Sequence, residues 1–326
     1  FSSAASHGFR HPMPHRRRPP RHLAAIILLA LLPCVAAALA PHWDPTPRPE
    51  LLLKAVDRCD FPRRVVNASV RAALRAGREC ARPEDKCMDL GPGWALKPWL
   101  FEGLTENEHL HGIDGMTGKA SMLRRFGDKR TLVSNSVAQS HGRKTMPLAS
   151  YVAHEMRPIP NLSAGLSENA GQTWYLCNDN FWGELLQLYD RPPLLRRGAD
   201  PRTLPISGPV GALSFGVGRS GSGLPFHFHG SQFVEVTQGR KRWFAAPFRE
   251  EANLFFDPGA SSLRWLHDQV LLKDGVQEDP SDAFALNLPD VVEICTQMPG
   301  QTLYLPPAWW HATLNVGETV FFLDFV

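Results

Sequence analysis

The chain has 326 residues, 43% of them hydrophobic and 21% charged, enough for one sizeable core with shorter segments outside it. Its formal net charge is only +3, and much of the positive charge is gathered near the start in "HPMPHRRRPPRH", so the balance excludes an obvious nucleic-acid surface. No C-x-x-C pair is present, which counts against a thioredoxin-like redox role or a zinc ribbon.

In chain order, residues 1–12 lie ahead of Met13 and stay outside the fold reading. The basic cluster then runs into "LAAIILLALLPCVAAALA", residues 23–40, a charge-free apolar run that ends in small residues. Together these predict a leader, residues 1–40, carrying a secretory signal peptide. The competing reading is an uncleaved signal anchor, because the run approaches the length of a membrane span and Pro41 suits cleavage poorly. Either way the arginines stay cytoplasmic and the rest of the chain is expected in the endoplasmic reticulum lumen or secretory pathway, attached to a membrane only if the anchor is kept. Two glycosylation sequons, at Asn67 and Asn161, agree with that address. Beyond the leader come Cys59, Cys80, Cys87, Cys177 and Cys295, an odd set for an oxidising compartment, of which Cys80 and Cys87 are near enough for a local disulfide.

Residues 41–95 are rich in proline and arginine and read as an N-terminal extension with short helical patterns at "PELLLKAVDRC" and "ASVRAALRAGREC". Residues 96–326 read as the main domain. Helices are predicted at "KASMLRRFGD", "PLASYVAHEM", "NFWGELLQLYD" and "SSLRWLHDQVLLKDG". The last third turns to strands: "ALSFGVG", "FVEVTQ", "KRWFAAP", "TLYLPP", "HATLNV" and "TVFFLDF", separated by glycine or proline turns. Regular short strands of this kind predict a barrel or a sandwich.

Within "GSGLPFHFHGSQFVEV", His227 and His229 stand one residue apart. In a strand, side chains at i and i+2 leave the same face, so both imidazoles would reach one point and make two corners of a metal site. Among the thirteen histidines, His311 in "GQTLYLPPAWWHATLN" is the best third corner. It follows a strand and a Pro-Pro turn, Trp309 and Trp310 would seal the pocket, and a curled sheet brings distant strands face to face. His109 and His111 in "EHLHGIDG" form a second pair, but an acidic, glycine-rich loop offers no rigid face, so they read as a decoy.

"GSGLPFHFHG", "QGRKRWFAAP" and "YLPPAWWHATLN", in this order, with "WLFEGLTENE" and "MLRRFGDKR" upstream, resemble the JmjC domains of the cupin superfamily, most of all a lumenal branch. Gly300, Pro306, His311 and Asn315 fit the second cupin motif, with Ala308 where cupins usually have glycine. The resemblance covers about residues 95–326. It implies a mainly β double-stranded β-helix, a jelly-roll or cupin barrel, behind a mixed α/β N-terminal extension. It also implies Fe(II), 2-oxoglutarate as cosubstrate, and hydroxylation of a protein side chain; histone and nucleic-acid work do not suit a lumenal address.

Carried over position by position, His227 takes the place of the first iron ligand and His311 that of the last. Lys241 falls where the family pairs a lysine with the distal carboxylate of 2-oxoglutarate, and Asn315 is placed beside the cofactor. Against this stands the plainer reading of Lys241 and Arg242 as hairpin surface charges. Asp324 lies where related enzymes often carry asparagine, a negative charge facing an anionic cosubstrate. The departure is His229, which replaces the carboxylate of the usual two-histidine, one-carboxylate triad. Three neutral imidazoles leave a metal with one more unit of positive charge and also suit zinc. Two alternatives follow. One is a metal-binding but catalytically weak or inactive JmjC protein that acts as a lumenal binding or regulatory partner. The other is a cupin metalloenzyme without 2-oxoglutarate, with Glu235, one residue later than the usual cupin glutamate, as a further ligand.

Overall fold

The computed structural model describes residues 40–48, 52, 58–76, 93–136, 142–168, 172–179, 182–193, 212–248, 254–271 and 289–325. The leader up to residue 39 and the Cys80–Cys87 pair lie outside the described residues, and so does most of "PELLLKAVDRC". Among the described residues no helix is long and apolar enough to cross a membrane.

The strands are β1 (Arg63–Val65), β2 (Trp99–Glu102), β3 (Arg130–Asn135), β4 (Arg143–Pro147), β5 (Trp174–Asp179), β6 (Leu213–Gly218), β7 (Gln232–Ala246), β8 (Glu293–Gln297), β9 (Gln301–Leu305) and β10 (Trp310–Phe325). They run in the order β1-β2-β9-β7-β10-β6-β5-β3-β4, with β8 paired to β7. Among the described residues only β1 and β2 pair in parallel. The chain is therefore mainly β, with the jelly-roll or cupin architecture that the resemblance implies.

Four of the expected short strands are in fact two long ones. "FVEVTQ" and "KRWFAAP" are both β7, while "HATLNV" and "TVFFLDF" are both β10. Gly239 (φ 67°) and Gly317 (φ 83°) bend these strands instead of ending them, and the β7–β10 register shifts between Val316 and Val320. An irregularity of this kind re-aims a strand without breaking its pairing. As a result β7 pairs β9 through Gln232–Glu235 and β8 through Lys241–Ala245, so one strand serves two parts of the barrel.

The helices are α1 (Ala68–Arg75), α2 (Lys119–Phe126), α3 (Leu148–His154), α4 (Leu162–Ser167), α5 (Gly183–Leu186) and α6 (Ser262–Leu271). The helix expected in "NFWGELLQLYD" shrinks to the single turn of α5. Asn67 caps α1 by accepting from the Val70 N–H at 2.9 Å, and Asn161 caps α4 by accepting from Ala164 at 2.8 Å. Both sequon asparagines are exposed. Phe215, Phe322, Met122 and Tyr151 form a core cluster on the α2 and α3 side, and Phe226, Phe244, Trp265 and Leu314 form another against α6.

The proline- and arginine-rich segment is stitched onto this barrel. Cys59 and Cys295 form a disulfide (S–S 2.05 Å), the Trp43 indole N–H donates to the Thr117 carbonyl at 2.7 Å, and β1 extends the sheet through β2. Cys177 keeps its thiol.

Candidate metal centre

The site begins with a backbone pairing. His227 and His311 form an isolated antiparallel bridge in which each N–H donates to the other's carbonyl, at 3.0 and 2.8 Å. Directly opposed residues of an antiparallel pair point to one face. The stretch around His227 and His229 is thus not the regular strand expected, but one bridge suffices to aim the rings. The Ala308 N–H donates to the His229 carbonyl at 3.0 Å, which ties the third ring to the turn before β10. Ala308 itself sits at φ 59°, a left-handed conformation that explains why cupins favour glycine there.

The rings of His227, His229 and His311 lie with centroids 4.2–5.4 Å apart. One nitrogen of each falls within 4.8 Å of the other two, the one histidine, cysteine or carboxylate cluster among the described residues with metal-site geometry. Each Nδ1 faces a backbone carbonyl: Pro225 for His227 (2.8 Å), Gly230 for His229 (2.7 Å) and Trp309 for His311 (2.9 Å). A carbonyl only accepts, so each Nδ1 carries the hydrogen and each Nε2 keeps its lone pair. This is the arrangement that orients histidines as metal ligands. Burial also keeps the rings neutral: it pulls His227 down to about 4, opposed by the Pro225 carbonyl, lowers His229, and takes His311 well below the ordinary histidine range. The donor set therefore fits a divalent ion.

The histidines share a cavity with Gln232, Lys241, Trp243, Thr313, Phe321 and Cys177, and among the described residues no carboxylate lines it. Lys241 is not the surface charge of the plainer reading. It is fully buried, its ammonium donates to the Tyr175 hydroxyl at 2.9 Å and to Asn315 Oδ1 at 3.3 Å, and it lies 4.0 Å from the Phe321 ring centre. Burial lowers its pKa to about 8, with Cys177 acting in the opposite sense. Arg242, also buried, points elsewhere and donates to the Leu52 carbonyl at 2.8 Å. Asn315 stands behind Lys241 and donates to Ser222 Oγ at 3.0 Å.

Three expectations need correction. Glu235 does not join the histidines: alternation along β7 turns it outward, where His111 Nε2 lies 2.9 Å from Oε1 and Asn107 donates to Oε2 at 2.8 Å. Asp324 does not face the cavity; it is buried against the guanidinium of Arg191. Trp309 and Trp310 do not wall the cavity either. Trp309 donates to the Leu96 carbonyl, Trp310 packs on Phe228, and the wall tryptophan is Trp243. His111, the supposed decoy, takes no part in the cluster and instead holds Glu235. The residues that sequence reasoning missed, Gln232, Trp243, Thr313 and Phe321, carry only the alternation along β7 and β10 as a signal.

Fold and site together define a cupin-type barrel with three convergent imidazoles fit for a metal. The chain is 33% identical over 234 residues to JmjC domain-containing protein 8 of Mus musculus, covering 71% of this chain and 75% of that protein. It is 32% identical over 234 residues to the Homo sapiens protein of the same name, covering 71% and 76%. A 29% match over 119 residues to Lysine-specific demethylase JMJ21 of Arabidopsis thaliana covers 32% of this chain and 11% of that protein. The chain belongs to the JmjC domain family. No protein-family model matches it.

Proposed function

We propose that this JmjC protein is an Fe(II)- and 2-oxoglutarate-dependent oxygenase that hydroxylates a protein side chain in the lumen of the secretory pathway. The observation that carries the reading is Lys241: a buried ammonium, without a carboxylate partner among the described residues, in a cavity it shares with three metal-ready imidazoles. A cation in such surroundings calls for an anion, and a dicarboxylate with one end at Lys241 and the other at the histidines meets that need. The Cys59–Cys295 disulfide and the exposed sequon asparagines support the lumenal address.

When bound, the metal and 2-oxoglutarate supply the oxidising chemistry; the protein supplies binding, orientation and exclusion of water. His227, His229 and His311 would hold the metal through Nε2, with their Nδ1–H groups fixed by carbonyls. Tyr175 and Asn315 hold the Lys241 ammonium in place for a carboxylate. Trp243, Phe321 and Leu323 keep the cavity wall apolar, which strengthens charge interactions within it.

A second reading, a metal-binding protein of weak or no activity that serves as a lumenal partner, draws on His229 in place of the carboxylate and on the aromatic side chains that narrow the cavity. The reading with Glu235 as a ligand is set aside by the bonds of Glu235 to His111 and Asn107.

The deciding experiment is anaerobic binding of 2-oxoglutarate to the iron(II)-loaded protein, with Lys241→Ala beside it. Saturable, iron-dependent binding that is lost in the variant is expected. A folded, iron-loaded protein that ignores 2-oxoglutarate would shift the assignment to the partner reading.

A further inference from the structure

Gln232 opens β7 and lines the same cavity as the three imidazoles and Lys241. It is 2% exposed, and its amide oxygen has no hydrogen-bond partner. Buried carbonyl oxygens are rarely left so, because the water they gave up is not replaced. The neighbouring polar groups on that wall are committed: Lys241 to Tyr175 and Asn315, each histidine Nδ1 to a carbonyl, and Thr313 Oγ1 accepts from the Leu224 N–H at 3.2 Å. The described residues that line the cavity thus include a glutamine with an orphan amide oxygen and three histidines with convergent lone pairs, but no carboxylate.

We propose that Gln232 is a fourth protein donor to the metal held by the three histidines, binding it through its amide oxygen. The inference rests on reading the cavity as a metal centre. An amide oxygen is a neutral, hard donor that divalent cations accept alongside imidazole. Three imidazoles leave three positions of a six-coordinate ion open, and a fourth donor leaves two. A chelating cosubstrate with one position to spare needs three, so Gln232 must give way when 2-oxoglutarate binds. Gln232 therefore favours the metal and opposes the cosubstrate, which sets the metal's retention against cosubstrate entry at one side chain.

Cobalt(II) is the probe, added to the full chain and to Gln232→Leu and Gln232→Glu, and followed by calorimetry and by its visible absorption. Gln232→Leu is expected to weaken cobalt binding by about tenfold to a hundredfold, and Gln232→Glu to bind more tightly than wild type. The metal-free Leu variant is expected to melt at or above the wild-type temperature, since an orphan polar atom has been removed. With cobalt saturating, the Leu variant binds 2-oxoglutarate more tightly than wild type and the Glu variant less tightly. A purely structural role would instead lower the melting temperature and weaken both ligands together. Cobalt affinity in Gln232→Leu within about twofold of wild type overturns the fourth donor and leaves the three-histidine centre standing. If that variant fails to fold, Gln232→Glu decides: tighter cobalt binding than wild type supports the donor, and unchanged binding overturns it. A wild-type chain that binds no cobalt overturns the metal centre itself.

Discussion

His227 is held neutral down to about pH 4 by burial, against the opposing pull of the Pro225 carbonyl, and His311 is displaced further in the same direction. In the unfolded chain a histidine takes up its proton near pH 6.5, so between those values the unfolded state binds more protons than the metal-free fold. Stability of the metal-free protein therefore falls as pH drops through this window, on the order of 2 kcal/mol between pH 7 and pH 5 for one such residue. Urea unfolding of the metal-free chain at the two values should show a lower midpoint at pH 5, and a metal that binds Nε2 should protect it at pH 7; a midpoint that does not move with pH would contradict the neutral cluster. The histidines were legible in the sequence because His-x-His and a distant histidine after a Pro-Pro turn are local patterns. Gln232 and Trp243 were not, because Gln232 and Lys241 lie on one wall only after the bend at Gly239 reverses the alternation. Ala308 was flagged as a departure from glycine, but its meaning needed the φ of 59°.

At the level of elements, β-branched and aromatic runs announced strands, but where those strands end was misread at Gly239 and Gly317. Glycine inside a strand pattern signals a turn or an irregularity equally well, and only the partner strand decides between them. Here the partner is close: a Cβ on Gly239 would stand 2.2 Å from the Glu318 carbonyl oxygen, in backbone at φ 67°. Gly112 offers the control, with φ 73° and nothing within 4 Å of an added Cβ. Each glycine-to-alanine change meets the left-handed penalty of about 1–3 kcal/mol, and Gly239→Ala adds the collision with β10. Chemical denaturation should show a distinctly larger loss for Gly239→Ala than for Gly112→Ala. Equal losses would mean that the β7–β10 bend yields and is not the fixed hinge on which both halves of the barrel turn.

At the level of the whole molecule, the N-terminal segment belongs to the site's support more than its composition suggested. Cys59 is bonded to Cys295 on β8, Cys295 stands opposite Trp243 in the β7–β8 register, and Trp243 walls the cavity. Which cysteines pair depends on β8 and the N-terminal segment meeting across a sequence separation of 236 residues, a fact of topology that spacing alone does not carry. A bond closing so long a loop restricts the unfolded chain strongly, and removing a native disulfide of this kind typically costs about 2–5 kcal/mol. Cys59→Ser should therefore lower the melting temperature by roughly 3–7 °C. The three histidines are framed instead by the His227–His311 bridge and the turn before β10, neither of which includes the disulfide. Cobalt stoichiometry in Cys59→Ser at low temperature should accordingly stay at the wild-type value while the melting temperature falls. Loss of cobalt binding in a variant still folded at that temperature would show that the segment shapes the centre through Trp243; an unchanged melting temperature would show that the bond adds nothing to what β1 and Trp43 already hold.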